Sequence, residues 1–151
     1  MIRIINRQRT IKVNVESLRK ATEQMITFLG YNDFDIGILL TTNKTIRKFN
    51  QKYCNKNTPT DILSFPFHPN YPAGTLPVIQ NSDDKNLGDI IISLEYIKKD
   101  TSEDKQLLEK RLLILLAHGI IHLLNYNHQT DEDFVIMQKI EKQLLDFIKK
   151  R

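Results

Sequence analysis

The sequence predicts an α+β fold, a single compact domain in which a small mixed sheet packs with helices. Three observations support this class. The 151 residues fit one domain, since domains commonly run to roughly 100–200 residues. Hydrophobic residues make up 40% and charged residues 26% of the chain, the balance of a globular protein with an ordinary core. Strand-like and helix-like segments follow one another without the regular alternation of a parallel α/β sheet.

The first half of the chain contains two predicted strands and two predicted helices. Short β-branched or alternating apolar runs are typical of strands, and apolar residues at helical spacing are typical of amphipathic helices. Gly30 ends the first helix, and Thr42 or Asn43 caps the second one. The predicted elements are strands at residues 2–7 and 35–40, and helices at residues 15–29 and from residue 42 or 43 to about residue 53.

The second half begins with two further predicted strands around a long loop. The loop spans residues 66–88, holds four of the five prolines and is too polar to form a regular element. Three helices follow: Ser93 caps the first, acidic residues occupy the first turn of the second, and Thr130 forms a capping box with Asp133 in the third. The predicted strands are residues 61–67 and 88–93, and the helices are residues 94–99, 102–124 and 130–151.

The helix at residues 102–124 is predicted to lie at the centre of the core, because it is apolar on nearly every side. Residues 112–130 contain no Asp, Glu, Lys or Arg, but only residues 112–117 are continuously apolar. A membrane-spanning helix needs about 20 apolar residues. We therefore expect a buried helix of a soluble domain and no membrane partner.

Charge and cysteine content exclude some classes of protein and leave others open. The 22 Lys and Arg residues against 18 Asp and Glu residues give a net charge of +4, which permits a polyanionic partner without requiring one. The single cysteine excludes an intramolecular disulfide and favours a reducing compartment. The first residues lack the apolar stretch of a secretory signal. We therefore expect a cytoplasmic protein without a disulfide partner.

Three of the four histidines stand in one short string, HGIIHLLNYNH, which begins at His118. His118 and His122 are four positions apart, so on a helix they lie on one face. Asn125 tolerates the left-handed conformation of a helix end, and such a turn would direct His128 toward the same point. Three neutral imidazoles suit Zn²⁺ and leave its fourth position for water, as in catalytic sites. The spacing predicts one zinc ion per chain, bound by His118, His122 and His128.

The same histidine spacing occurs in metzincin proteases, but the residue after the first histidine differs. Those enzymes carry a Glu there as general base, whereas this chain has Gly119, which cannot take a proton. A zinc protease would therefore need a base from elsewhere in the chain. The glycine instead indicates close packing against a strand. The fourth histidine, His68, stands in the proline-rich loop and is not assigned to the site.

Three sequence blocks together resemble one known family. The histidine string resembles the H-G-x-L-H-L-x-G-Y-D-H signature of the YbeY endoribonucleases, the bacterial rRNA maturation factors. Residues 50–67, NQKYCNKNTPTDILSFPF, resemble the family's N-x-x-Y-R-x-K-D-x-P-T-D-V-L-S-F-P block, and residues 87–93, LGDIIIS, resemble its L-G-D-I-x-I-S block. The blocks stand in the family's order, and the resemblance covers essentially the whole chain.

The resemblance implies a compact α+β fold with a zinc ion on His118, His122 and His128. It also implies a metal-dependent endoribonuclease, a hydrolase that cleaves phosphodiester bonds of single-stranded RNA. The implied role is 16S rRNA 3′-end maturation and ribosome quality control in the cytoplasm, with rRNA and the small ribosomal subunit as partners. The whole chain, residues 1–151, would form one such domain.

Five cations on or just past the second predicted helix have two interpretations. They form a solvated face, as such residues usually do, or they hold RNA phosphates in a basic protein. Lys56 matches the family's Lys, and Lys52 lies four positions before it, so these two residues are the candidates for substrate binding. The five cations are Lys44, Arg47, Lys48, Lys52 and Lys56.

The chain departs from the family's pattern at several positions. Cys54 stands where the family has an Arg, to which the resemblance assigns a contact with RNA phosphate, and Asn57 and Asn127 replace acidic residues. These differences leave a second hypothesis open: an RNA- or ribosome-binding assembly factor with a structural metal and weak or lost cleavage. Asp61 and Asp89 are candidates for the general base only because they stand in the resembling blocks, and a turn or strand-end role fits each of them better. No catalytic base is therefore assigned.

Overall fold

Four strands and five helices alternate irregularly along the residues that the computed structural model describes, which are 1–101 and 104–149. A short 3-10 turn at Ser82–Asp84 lies in the loop before the last strand. In chain order, the elements are β1 (Ile2–Asn6), α1 (Val15–Phe28), β2 (Asp35–Thr41), α2 (Asn43–Cys54), β3 (Ile62–Pro66), β4 (Asn86–Ser93), α3 (Leu94–Thr101), α4 (Lys105–Leu123) and α5 (Asp131–Lys149).

The four strands form one mixed sheet in the order β1-β2-β4-β3. Strands β1, β2 and β4 run parallel, and β3 pairs antiparallel with β4. In the middle of the sheet, Leu39 lies opposite Ile91 and Leu40 lies opposite Ile92. Because successive side chains point to opposite faces of a strand, these two pairs lie on different sides of the sheet. The predicted α+β fold with a mixed sheet is confirmed.

One side of the sheet, called here the inner face, is covered by helices. A Cβ placed on Gly119 of α4 would lie 3.1 Å from Ile90 Cδ1 and 3.2 Å from Ser64 Oγ, so α4 packs directly on this face. Helices α1 and α5 contact α4 on the same side. The β2 and β4 side chains beneath them are at most 2% exposed: Ile36, Ile38, Leu40, Ile90 and Ile92. Helix α4, which corresponds to the helix predicted at residues 102–124, therefore runs through the core, as predicted.

The opposite side, called here the outer face, is only partly covered. Helix α2 contacts β3 and β4, and the ring of Tyr53 lies 5.3 Å from that of Phe65. Phe65 pairs with Asp89, one residue out of phase with the inward-facing Ile90. On the strands farther from β3, Ile5 is 40% exposed and Leu39 is half-buried. Part of this face is therefore open to solvent.

Most predicted boundaries are confirmed to within two residues, and the loop region needs two corrections. Strand β4 begins at Asn86, not at residue 88, because Leu87 is buried and Asn86 pairs with Asp35 across the sheet. The segment interpreted as a loop without any element contains the 3-10 turn, which Asn81 caps by accepting a hydrogen bond from the Asp83 N–H. Asn86 and the residues of the 3-10 turn are polar, so neither feature gives a periodic apolar signal.

Residues 102 and 103, at the predicted start of the helix at residues 102–124, lie outside the described residues, as do residues 150 and 151, at the predicted end of the last helix. Asp104 is the N-cap of α4, not part of its first turn, and accepts from two backbone N–H groups. Thr130 Oγ1 accepts from the Asp133 N–H at 3.0 Å, which confirms the predicted cap of α5. None of the described helices combines the length and the apolar composition needed to cross a bilayer.

Candidate metal centre

Three histidine side chains from two neighbouring segments meet beside the C-terminal end of α4. His118 and His122 stand one turn apart on α4, and His128 lies in the connection to α5. One ring nitrogen of each residue lies within 4.8 Å of the others. The convergence that the spacing predicts is confirmed. Within the described ranges, His68 lies outside this cluster, and its Nε2 contacts the Asp84 carbonyl at 2.7 Å.

The turn after α4 brings His128 back toward the helix. Asn125 has a φ of 69°, which is the left-handed conformation that asparagine tolerates. Its backbone N–H donates to the His122 carbonyl at 3.0 Å. Its side-chain Nδ2 donates to the His68 carbonyl at 2.9 Å, which ties the turn to the proline-rich loop. The predicted role of Asn125 is therefore confirmed.

The Nδ1 atoms of His118 and His122 each contact a hydrogen-bond acceptor, which fixes the orientation of the ring. His118 Nδ1 lies 2.5 Å from Oε1 of Glu141 on α5, and His122 Nδ1 lies 2.8 Å from the Tyr126 carbonyl oxygen. A carboxylate and a carbonyl only accept hydrogen bonds, so each Nδ1 is the donor and carries the proton. In the neutral rings, each Nε2 then presents a lone pair. The two Nε2 atoms lie 2.9 Å apart.

This arrangement of nitrogens fits a metal ion. Two facing lone pairs repel each other unless a cation shares them. Histidine ligands of metals usually donate their other ring N–H to a carboxylate or a backbone carbonyl, which fixes the tautomer and the orientation of the ring. The third donor, on His128, is exposed and completes a set of three imidazoles. Such a set suits a divalent ion such as zinc.

The surroundings of His122 favour the neutral ring that binds metals. Burial lowers the pKa of His122 below its ordinary value of 6.5, and the positive charge on a protonated His118 lowers this pKa further. The hydrogen bond to the Tyr126 carbonyl acts in the opposite direction, because it stabilises the charged ring. A neutral imidazole binds a metal without first losing a proton.

Gly119, between the two helical histidines, has a packing role. A Cβ at this position would lie 2.8 Å from Ile62 Cδ1, so a larger residue would push α4 away from β3. The predicted close packing against a strand is confirmed. The position that carries the general base in metzincin proteases therefore faces the sheet here, and it offers no group to a substrate.

The two carboxylates of the resembling blocks lie apart from the histidines. Asp61 accepts a hydrogen bond from the Thr60 hydroxyl at 3.3 Å and faces Arg111 at 3.7 Å. Asp89 projects from the outer face of the sheet, whereas α4 packs on the inner face. Each carboxylate therefore has the surroundings of a strand or turn residue, and the structure brings neither of them to the candidate metal centre.

The predicted substrate-binding residues lie on the α2 side of the molecule. Lys52 is exposed on the last turn of α2, with its Nζ 5.2 Å from the centroid of the Tyr53 ring. Lys56 is exposed just after the helix, where Asn55 takes the left-handed conformation of a helix end. Their role toward a substrate stays a prediction.

Sequence reasoning missed the two residues that fix the histidine rings. Glu141 contacts His118 across 23 positions of the sequence, and Tyr126 acts through its backbone carbonyl, which every residue possesses. The available signal was the position of Glu141 on α5. It lies four residues after Met137 and three before Leu144, both of them buried. A carboxylate beside the apolar stripe of a helix indicates a partner in the core.

Comparison with known proteins identifies the family. A family model described as endoribonuclease YbeY matches residues 3–149. A Homo sapiens protein named endoribonuclease YbeY is 38% identical over 148 residues, which cover 98% of this chain and 88% of that protein. A protein of the same name from a Sulfurihydrogenibium species is 37% identical over 136 residues, which cover 89% and 84% of the two chains.

A solved structure supports the fold independently. The solution structure of a Thermotoga maritima protein matches with a TM-score of 0.58 and covers 99% of this chain and 93% of that one. Its sequence identity is 22%, so this likeness concerns the fold alone. The family model and the two named relatives span nearly the whole sequence, and together they show that the chain belongs to the YbeY endoribonuclease family.

Proposed function

We propose that residues 1–151 form a single zinc-dependent endoribonuclease domain that cleaves single-stranded RNA. The proposal rests above all on the two Nε2 atoms that Glu141 and the Tyr126 carbonyl hold 2.9 Å apart. His118, His122 and His128 would bind one zinc ion. In the cell, the proposed role is 16S rRNA 3′-end maturation and ribosome quality control in the cytoplasm, with rRNA and the small ribosomal subunit as partners.

The relatives support RNA as the substrate. The Homo sapiens and Sulfurihydrogenibium proteins are both named endoribonucleases, a name that denotes internal cleavage of RNA. The present chain shares more than a third of its residues with each of them over the matched length. Membership of the same family and the histidine cluster together favour a ribonuclease over a zinc protease, which would require a base that position 119 does not supply.

The residues of the chain would orient the metal ligands and leave the site accessible to RNA. When bound, zinc would supply Lewis acidity that lowers the pKa of a water molecule toward ~7 and offsets charge on the reacting phosphate. Glu141 and the Tyr126 carbonyl hold two rings in their binding orientation before any ligand arrives. His118 and His122 are half-buried, whereas His128 is exposed, so the site is open on one side, where an RNA strand could approach.

Cations around α2 are proposed to hold the RNA backbone. The helix carries four cations and no acidic residue, and Lys56 follows it. Cations that neutralise phosphates release counterions, so binding weakens steeply as salt increases. Lys52→Ala or Lys56→Ala should lower both the affinity for RNA and its salt dependence. Binding that is insensitive to salt would contradict this role and would leave these residues as a solvated face.

Metal analysis followed by an RNA cleavage assay tests the proposed function. We expect the purified protein to contain a single zinc ion per chain and to cut a single-stranded oligoribonucleotide. Cleavage should stop on chelation and return when zinc is added back. His122→Ala is the control, because activity that persists in this variant comes from a contaminating nuclease. Cleavage by the wild type that resists complete removal of the metal would contradict the proposal.

A second candidate function is RNA or ribosome binding without efficient cleavage, with a structural metal. Cys54 favours it, because this exposed residue at the end of α2 stands where the family's pattern has an Arg. Both functions require a metal and RNA, so the cleavage assay separates them. If only that contact is missing, Cys54→Arg should raise cleavage tenfold or more, since hydrogen bonds to charged groups contribute about 1.5–3 kcal/mol.

A further inference from the structure

The outer face of the sheet holds an open groove that is separate from the histidine cluster. It has a volume of about 440 Å³, and ligand pockets commonly measure roughly 300–1,000 Å³. Strands β1, β2 and β4 form its floor, and aromatic residues of α2 and β3 form one wall. The lining residues include Arg3, Gly37, Phe49, Tyr53, Phe65 and Asp89.

Three aromatic rings lie together on this wall. The ring of Tyr53 lies 6.2 Å from that of Phe49 at an interplanar angle of 14°, and 5.3 Å from that of Phe65 at 64°. Tyr53 nevertheless remains 56% exposed. A group of rings that is open to solvent offers a flat apolar surface on which another flat ring can stack.

Two opposite charges lie on the floor of the groove. Arg3 and Asp89 flank Gly37 on neighbouring strands. A Cβ on Gly37 would lie 2.3 Å from Asp89 Oδ1, so the bare glycine leaves room for the carboxylate to lie over the strand. The floor thus presents a hydrogen-bond donor and an acceptor next to apolar surface. A heterocyclic base has matching properties, because its faces are apolar and its edges carry N–H and C=O groups.

Cations border the aromatic wall on the α2 side. Lys52 Nζ lies over the ring of Tyr53, and the exposed Lys48 directly precedes Phe49. Helix α2 contains no acidic residue. A nucleotide joins a flat base to an anionic phosphate, so it complements an aromatic wall with a basic rim, the combination found in grooves for single-stranded nucleic acids. A purely apolar partner would match only the wall.

We propose that this groove binds an unpaired nucleobase of RNA, with the attached phosphate on the cations of α2. The inference rests on the proposed function, since it takes RNA as the ligand. The groove and the histidine cluster lie on opposite faces of the sheet, so the bound base belongs to a nucleotide away from the bond that is cut. Tyr53 is therefore a residue that contributes affinity for RNA and does not take part in the chemistry.

Binding measurements on the zinc-loaded full chain test this groove. The probes are a fluorescent, nuclease-resistant single-stranded 2′-O-methyl RNA and an abasic strand of equal length, which keeps the phosphates and lacks the bases. We expect Tyr53→Ala to weaken binding of the first strand about 5- to 150-fold, since stacking contributes ~1–3 kcal/mol per base. Binding of the abasic strand should change less than about twofold, because charge on the backbone is unaffected.

Two further variants separate stacking from a general loss of surface. Tyr53→Trp keeps a flat ring and should restore binding of the strand that carries bases. Phe28→Ala removes a ring that is 43% exposed on α1, on the inner side of the molecule, and should leave both affinities unchanged. Equal effects of Tyr53→Ala and Phe28→Ala, or equal binding of the two strands to the wild type, would overturn the proposal.

The outcomes also distinguish the groove from the proposed function. If Tyr53→Ala leaves the affinity for RNA unchanged while the protein still shows metal-dependent cleavage, the nucleobase proposal is wrong and the proposed function stands. RNA that binds with the expected Tyr53 dependence but is never cut would support the groove and contradict the nuclease. If Tyr53→Ala changes self-association of the protein and not its affinity for RNA, the groove is a contact surface for a second copy, and the nucleobase proposal is wrong.

Discussion

The two faces of the sheet differ in how much of their surface the chain itself covers. On the inner face, Ile38, Leu40 and Ile92 are at most 2% exposed beneath the helices. On the outer face, Ile5 is 40% exposed and Tyr53 on α2 is 56% exposed. The covered face fixes the helix that carries two of the histidines, whereas the open face leaves aromatic and apolar surface for a ligand.

The geometry of the histidine cluster depends on the covered side. Helix α4 packs on the sheet through Gly119, and α5 packs against α4 and contributes Glu141. Side chains that project from packed helices keep their positions better than side chains on loops. Variants on the covered side should therefore change the metal and the fold, and variants on the open side should change affinity for a ligand.

The largest effect, on zinc binding and cleavage, is expected when one of the three clustered histidines is replaced and not when the fourth histidine, His68, is replaced. His128→Ala should abolish zinc binding and lower cleavage by about 1,000-fold or more, because metal catalysis supplies several kcal/mol. His68→Ala is the matched control, since this ring lies outside the cluster and contacts the Asp84 carbonyl. It should keep its zinc and most of its activity. Elemental analysis and a cleavage assay measure both, and zinc retained by His128→Ala would contradict the three-histidine site.

The next effect compares two adjacent leucines on opposite faces of β2. Leu40 is fully buried on the inner face, and Leu39 is half-buried on the outer face. Leu40→Ala should lower the free energy of unfolding by roughly 2–5 kcal/mol, the usual cost of a cavity in a core. Leu39→Ala should cost about 1 kcal/mol, because less apolar area leaves water at that position. Equal losses in urea unfolding would mean that the two faces are covered alike.

The sequence predicted most elements because their signals are local. The alternation of Ile36, Ile38 and Leu40 predicted β2, and the spacing of His118 and His122 required only a helix. The start of β4 was predicted two residues late, because Asn86 is polar and joins the sheet by pairing with Asp35, a contact between distant parts of the chain. Local patterns do not contain such pairings.

The difference between local patterns and long-range contacts also explains which features of the two sites can be predicted from the sequence. The turn at Asn125 is a local property of one residue type, so the convergence of the histidines was predictable. The contact between His118 and Glu141 requires α5 to pack on α4 in one particular register, which no short stretch of sequence determines. The groove requires the strand order, because Arg3, Gly37 and Asp89 become neighbours only when β1, β2 and β4 lie side by side.

A smaller effect, on the affinity for zinc, should follow from loss of the contact between His118 on α4 and Glu141 on α5. Glu141→Gln replaces the carboxylate that orients His118, so zinc affinity should fall about 10- to 100-fold, the usual effect of removing such a partner. Glu109→Gln is a matched control, because it removes the same charge from an exposed position of α4. Competition with a chelating dye measures zinc affinity directly. Equal affinities of the two variants would show that Glu141 does not support the metal.

The smallest effect should come from the titration of His122 in the metal-free protein. Burial and a protonated His118 hold its pKa below 6.5 in the folded chain, whereas unfolding returns this pKa to about 6.5. Between these two values the unfolded chain binds a proton that the folded chain does not. The free energy of unfolding should therefore fall as the pH drops through about 6.5, and this contribution should stop changing below the folded pKa.

His122→Gln removes this titration and isolates the contribution. In urea unfolding of the chelated proteins, the wild type should lose up to ~1.4 kcal/mol per pH unit more than the variant over this window. His118 and His128 remain in both proteins, so their own titration largely cancels in the difference. Parallel stability curves would mean that the ring of His122 is as accessible to water as an unfolded histidine. The covered side would then not hold it in the neutral form that a metal requires.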